Sequence, residues 1–119
     1  MFIYNKKLQY PVKIARCNPR LASVIISQYG GPDGELGASL RYLSQRFSMP
    51  FDEQKALLTD IGVEELGHLE MVGAIVHQLT RNLKEKDIEG TPLEQYFVDH
   101  TVGVFPTAPS GFPYTAAAM

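Results

Sequence analysis

From Glu53 to about Leu83 the chain alternates apolar and polar positions with steps of three and four residues. Leu58, Ile61, Val72, Ile75 and Leu79 mark one stripe, and Glu65 and His68 fall on the same stripe. This spacing predicts a long helix over 53–82 that packs nearly parallel to its neighbours in a bundle. Two shorter patterns precede it. In NPRLASVIISQYGG, Asn18 is a good N-cap and Pro19 suits the first helical position, so a helix is expected over 18–29, ending at Gly30 and Gly31. After Pro32 and Asp33, GELGASLRYLSQRF places Leu36, Leu40, Leu43 and Phe47 on one side of a helix over 34–47. SMPFD reads as a turn, with Asp52 as the next N-cap.

The remaining stretches carry less order. Residues 1–17, mixed around Pro11, read as an extended arm. NLKEKDIEG is charged and reads as a loop, and Thr91-Pro92 opens a short helix over 92–97. Residues 101–119, with Pro106, Pro109 and Pro113, read as an extended Pro-rich tail, which leaves 18–100 as the helical region. No strand pattern persists and no internal repeat is present, so the expected fold class is all-α.

Composition narrows the functional classes. A chain of 119 residues with net charge −2 and 20% charged residues reads as one globular domain and lacks the clustered basic surface that nucleic acid requires. The densest basic group, Lys6, Lys7, Lys13, Arg16 and Arg20, reads as a solvated face before a docking patch. Cys17 is the single cysteine, so no intrachain disulfide forms. No apolar run reaches the ~18–20 residues that span a bilayer, and the first residues lack the apolar core of a signal peptide. The expectation is a cytoplasmic protein with no membrane or nucleic-acid partner, and a coat protein would look the same.

Glu65 and His68 raise the chemical question. Three residues apart on a helix, they lie about 60° apart around its axis and one turn along it. A carboxylate and an imidazole so placed reach one common point, and a buried charge needs a partner or a cation. Glu-x-x-His is the element that di-iron and di-manganese carboxylate bundles use. Folding the chain at Met49-Pro50 sets Glu35 opposite residue 64 or 65, so two carboxylates and one imidazole converge as three ligands for one ion. Tyr42, seven residues after Glu35, shares its side of the helix and reads either as a hydrogen-bonding neighbour of a ligand or as packing. Plainer readings stand beside these. Glu35 suits a first helical turn through the helix dipole alone, and His68 suits a core histidine with its hydrogen bonds satisfied. Glu64 and Glu70 fall off the stripe and read as solvated, His77 reads as exposed, and His100 is assigned no role. An oxygen-rich donor set with few imidazoles suits manganese or iron rather than copper or structural zinc.

The runs KKLQYPV, CNPRLA, QYGGPDGELGASLRYLSQRF, LLTDIGVEELGHLEM and PSGFPYTAAA together resemble the manganese catalases, above all the short members found in bacterial spore coats. The resemblance implies a ferritin-like four-helix bundle around two manganese ions and disproportionation of hydrogen peroxide to water and dioxygen. It implies that Glu65 bridges both ions, that Glu35 and His68 together hold one of them, and that Tyr42 is the outer-sphere tyrosine. The family draws one more glutamate and one more histidine from a second helix pair. This sequence holds no other Glu-x-x-His, and Glu94 is followed three residues later by Phe97.

The expected unit is therefore a helical hairpin, half of a four-helix bundle, either truncated or completed by a two-fold dimer that brings a second Glu35, Glu65 and His68. An apolar stripe with too few neighbours to bury it leads to the same expectation of association or metal binding. Hydrogen peroxide is the implied substrate, and the implied partners are further copies or other coat proteins. Two rival readings are a non-catalytic coat component, its Pro-rich tail wrapped around a partner, and another di-metal oxidase that uses iron.

Overall fold

The computed structural model describes residues 5, 7–30, 33–91, 93 and 94. Among them every regular element is helical and no strand is present: α1 (Pro19–Ile25), α2 (Glu35–Gln45), α3 (Asp52–Thr80) and α4 (Glu85–Ile88). Short 3₁₀ turns at Ile26–Gln28 and Arg46–Ser48 extend α1 and α2. No helix of the described residues is long and apolar enough to cross a membrane. Of the expected short helix over 92–97 only residues 93 and 94 are described, and the tail over 101–119 lies outside the described residues.

Local chemistry accounts for most of the boundaries. Asn18 caps α1 by accepting the Leu21 N–H at 2.9 Å, and Pro19 follows it as the first helical residue. A cap of this kind contributes about 1 kcal/mol. α3 differs slightly from expectation. Phe51, extended at φ −117° and ψ 142°, occupies the cap position, and Asp52 is the first helical residue. There Asp52 complements the helix dipole and lies 3.5 Å from Lys55 Nζ. The stretch expected to be a loop after Asn82 contains the single turn α4. Its start is held locally, since the Lys84 N–H donates to Asp87 Oδ2 at 3.0 Å.

α2 and α3 form an antiparallel pair across the turn at Met49 and Pro50, and its closest approach is set by Gly62. A Cβ there would lie 2.7 Å from Leu43 Cγ and 3.3 Å from the Leu43 backbone nitrogen. The buried Ser39 hydroxyl fills the same gap and donates to the Gly62 carbonyl at 2.7 Å. α1 packs lower on α3. Ala22, Leu79 and Leu93 form a buried cluster there, with Ile14, Ile25, Ile75 and Leu83 against it.

The extended segment before α1 is strapped to the end of α3. The Gln78 side-chain amide accepts from the Ile14 N–H at 2.7 Å and donates to the Val12 carbonyl at 2.8 Å. The Asn18 N–H bonds the Leu79 carbonyl at 2.8 Å. Lys7, Lys13, Arg16 and Arg20 are exposed along this segment and the start of α1.

Burial is concentrated at one end. Along the α3 stripe only Leu79 is buried, while Leu58, Ile61, Glu65, His68, Val72 and Ile75 are half-buried. One facing helix shields one flank of the stripe and leaves the other open.

Candidate metal centre

Glu35 is the first residue of α2, and the chain that delivers it is tightly folded. A Cβ on the buried Gly34 would lie 2.9 Å from the Gly30 carbonyl oxygen and 3.1 Å from that of Gln28. Glycine at 34 lets the chain turn back on itself directly before Glu35. Across the pair, α3 presents Glu65 and His68 one turn apart. The structure brings the three together: one ligand atom from each lies within 4.8 Å of the others. His68 Nδ1 is 2.9 Å from Glu65 Oε2 and 3.5 Å from Glu35 Oε2. The same ring nitrogen thus faces both carboxylates, in the position an ion shared by the three would take. The side chains are 15%, 24% and 35% exposed for Glu65, Glu35 and His68, so the group is shielded on the helix side and open on the other.

Tyr42 is half-buried on α2 and makes no hydrogen bond to any of the three. Glu64 is exposed, in keeping with its reading as a solvated acid, and it also approaches the ring, with Oε1 3.9 Å from His68 Nε2. Its i,i+4 spacing to His68 was a signal in the sequence. Glu70 is half-buried rather than fully solvated, and His77 is exposed. His100 lies outside the described residues.

The electrostatics fit a proton standing where a cation would go. The Glu35 carboxyl is raised above the usual range, chiefly because it holds the hydrogen bond it shares with Glu65, and secondly by burial. Glu65 is lowered, first by that hydrogen bond and then, against burial, by His68. His68 is raised, first by its hydrogen bond to Glu65, with the charges of Glu65, Glu35 and Glu64 adding to it against burial.

The signs of these shifts set a window. The raised groups, Glu35 and His68, contribute stability that is lost as pH rises through their folded values. Glu65 contributes stability that is lost as pH falls through its lowered value. The metal-free chain is therefore favoured at mildly acid pH, where Glu35 and His68 hold protons and Glu65 does not. A cation has to displace those protons. Manganese affinity is expected to rise with pH as Glu35 and His68 give up their protons, which are released on binding. Titration in weakly buffered solution measures this, and a pH-independent affinity would contradict it.

Two carboxylates and one imidazole are a donor set that suits manganese or iron. Their convergence between antiparallel helices is the arrangement of ferritin-like carboxylate proteins. The comparisons with known proteins agree with that class. A family model described as manganese containing catalase matches residues 1–118. The chain is 48% identical over 117 residues to Protein CotJC of Bacillus subtilis, covering 98% of this chain and 61% of that protein. It is 36% identical over 118 residues to a probable manganese catalase of Clostridium acetobutylicum, covering 98% of this chain and 52% of that one. Among solved structures, KatB, a manganese catalase from Anabaena PCC7120, superposes with a TM-score of 0.69 at 32% identity, covering 100% of this chain and 53% of the other. The chain belongs to the manganese catalase family, and it spans between half and two thirds of the length of these relatives.

Proposed function

We propose that this chain supplies one half of a di-manganese carboxylate site that disproportionates two hydrogen peroxide molecules to two waters and one dioxygen. The observation that carries the reading is the convergence of Glu35, Glu65 and His68 within 4.8 Å on the open side of the helix pair. A manganese pair exchanges two electrons with peroxide by moving between its +2 and +3 states, which is chemistry the metals supply. The residues would hold and space the ions: Glu65 as the shared ligand, Glu35 and His68 as terminal ligands, and Tyr42 as a polar neighbour. The helix pair excludes water from one side.

A complete two-ion site takes a glutamate from each of two helices and a Glu-x-x-His from each of two more. This sequence has one of each. A second copy related by a two-fold axis supplies the same three residues and completes the count of four carboxylates and two imidazoles. Hydrogen peroxide is the substrate in this reading.

A second reading is a coat or assembly component without turnover, in the cell or on its spore coat. Large apolar residues left exposed, among them Leu40 at 61%, Phe47 at 77% and Leu57 at 58%, favour a chain that associates. Oxygen evolution from peroxide separates the readings. Manganese-loaded protein is expected to evolve oxygen in a way that haem poisons do not inhibit. Intact folding and self-assembly without oxygen would favour the coat role, and turnover with iron alone would favour a different di-metal oxidase.

A further inference from the structure

His68 turns Nδ1 toward Glu35 and Glu65, which leaves its other ring nitrogen facing outward. Nε2 lies 3.9 Å from Glu64 Oε1. That same oxygen accepts a hydrogen bond from Gln9 Nε2 at 2.8 Å, across 55 residues of sequence. Gln9 reaches α3 because position 67 is glycine: a Cβ there would lie 3.2 Å from Gln9 Oε1. The extended segment before α1 is therefore laid on the helix one residue before His68, with its amide turned to Glu64.

A histidine that ligates through one nitrogen needs its hydrogen on the other. A carboxylate beside that hydrogen fixes the tautomer, orients the ring and makes the ligating nitrogen more basic. We propose that Glu64 is a positioning residue that aims His68 Nδ1 at the metal position, and that Gln9 holds Glu64 in place. This rests on the metal-binding reading of Glu35, Glu65 and His68. Glu64 itself is no ligand in it: its oxygen is on the far side of the ring. Once a cation replaces the proton at Nδ1, Nε2–H is the donor left on the ring, and a rotation of the exposed Glu64 side chain closes 3.9 Å to hydrogen-bond distance.

The test measures Mn(II) affinity of the full chain, with manganese chloride as the probe and the free ion counted by electron paramagnetic resonance. Glu64→Ala is expected to weaken binding about 10- to 100-fold, while the thermal midpoint in metal-free buffer stays where it is. Glu64→Gln keeps the size of the side chain and removes its charge, and it is expected to weaken binding about 10-fold. It reports on the role even where the alanine variant misfolds. Gln9→Ala is expected to give a smaller loss that disappears in the Glu64→Ala background, because Gln9 acts through Glu64. Unchanged affinity in both Glu64 variants would overturn the proposal, as would a Gln9→Ala loss that persists undiminished without Glu64. Wild-type protein that takes up no manganese would overturn the metal reading and, with it, the positioning role.

Discussion

Glu65→Ala is expected to abolish manganese retention, with affinity falling by more than about 100-fold, beyond what loss of a ligand's hydrogen-bonding partner costs. Glu65 is the least exposed of the three converging side chains, and its carboxylate lies 2.9 Å from the imidazole nitrogen. Removing it leaves Glu35 and His68 without a shared oxygen between them. The stability that manganese confers disappears with it, a contribution of about 2.7 kcal/mol when the ion is at 100 times its dissociation constant. Oxygen evolution is expected to fall to background. In metal-free buffer the same substitution breaks a partly exposed pair and is expected to move stability by less than about 1 kcal/mol. A large loss there with unchanged manganese uptake would mark Glu65 as structural. Thermal unfolding with and without manganese reads both quantities.

Gly62→Val has the largest expected effect on the fold. Leu43 occupies the space a side chain at 62 would take, and the Leu43 backbone nitrogen closes off retreat. Overpacking of this kind costs about 1–3 kcal/mol, which lowers the thermal midpoint by roughly 4–8 °C for each kcal/mol in a domain of this size. The effect reaches the site, because the α2–α3 separation at Ser39 and Gly62 sets how near Glu35 comes to Glu65. Manganese affinity should fall together with stability. Gly73→Ala is the control: its Cβ would meet the Tyr29 ring edge at 3.1 Å, a side chain that can swing away. Equal midpoints for Gly62→Val and wild type would show that the helices are not in contact there.

The helix pair and its polar group were legible because both follow from counting. The steps of three and four from Leu58 to Leu79 give α3, and the turn at Met49 and Pro50 fixes which residues stand level across the hairpin. Glu35, Glu65 and His68 therefore come from the sequence at the right height. Other features rest on contacts that no local period records. Glu64 lies about 100° around the helix from Glu65, so the stripe gave it no part; its i,i+4 spacing to His68 could be counted, but only the fold brings Gln9 to it. α4 is four residues of mostly charged sequence held by local hydrogen bonds, too short for a pattern to announce it. The half-buried stripe depends on what covers the open flank, and a hydrophobic pattern states only that something should. Phe51 rather than Asp52 caps α3 because the backbone stays extended for one residue more after Pro50.

Metal content measured on the purified chain together with its native mass decides whether these residues form half of a two-ion site. Glu35, Glu65 and His68 as one half of a di-manganese site predict two manganese ions for every two chains, held in a dimer and released by acid or by Glu65→Ala. A metal-free monomer recovered from manganese-supplemented buffer would contradict it.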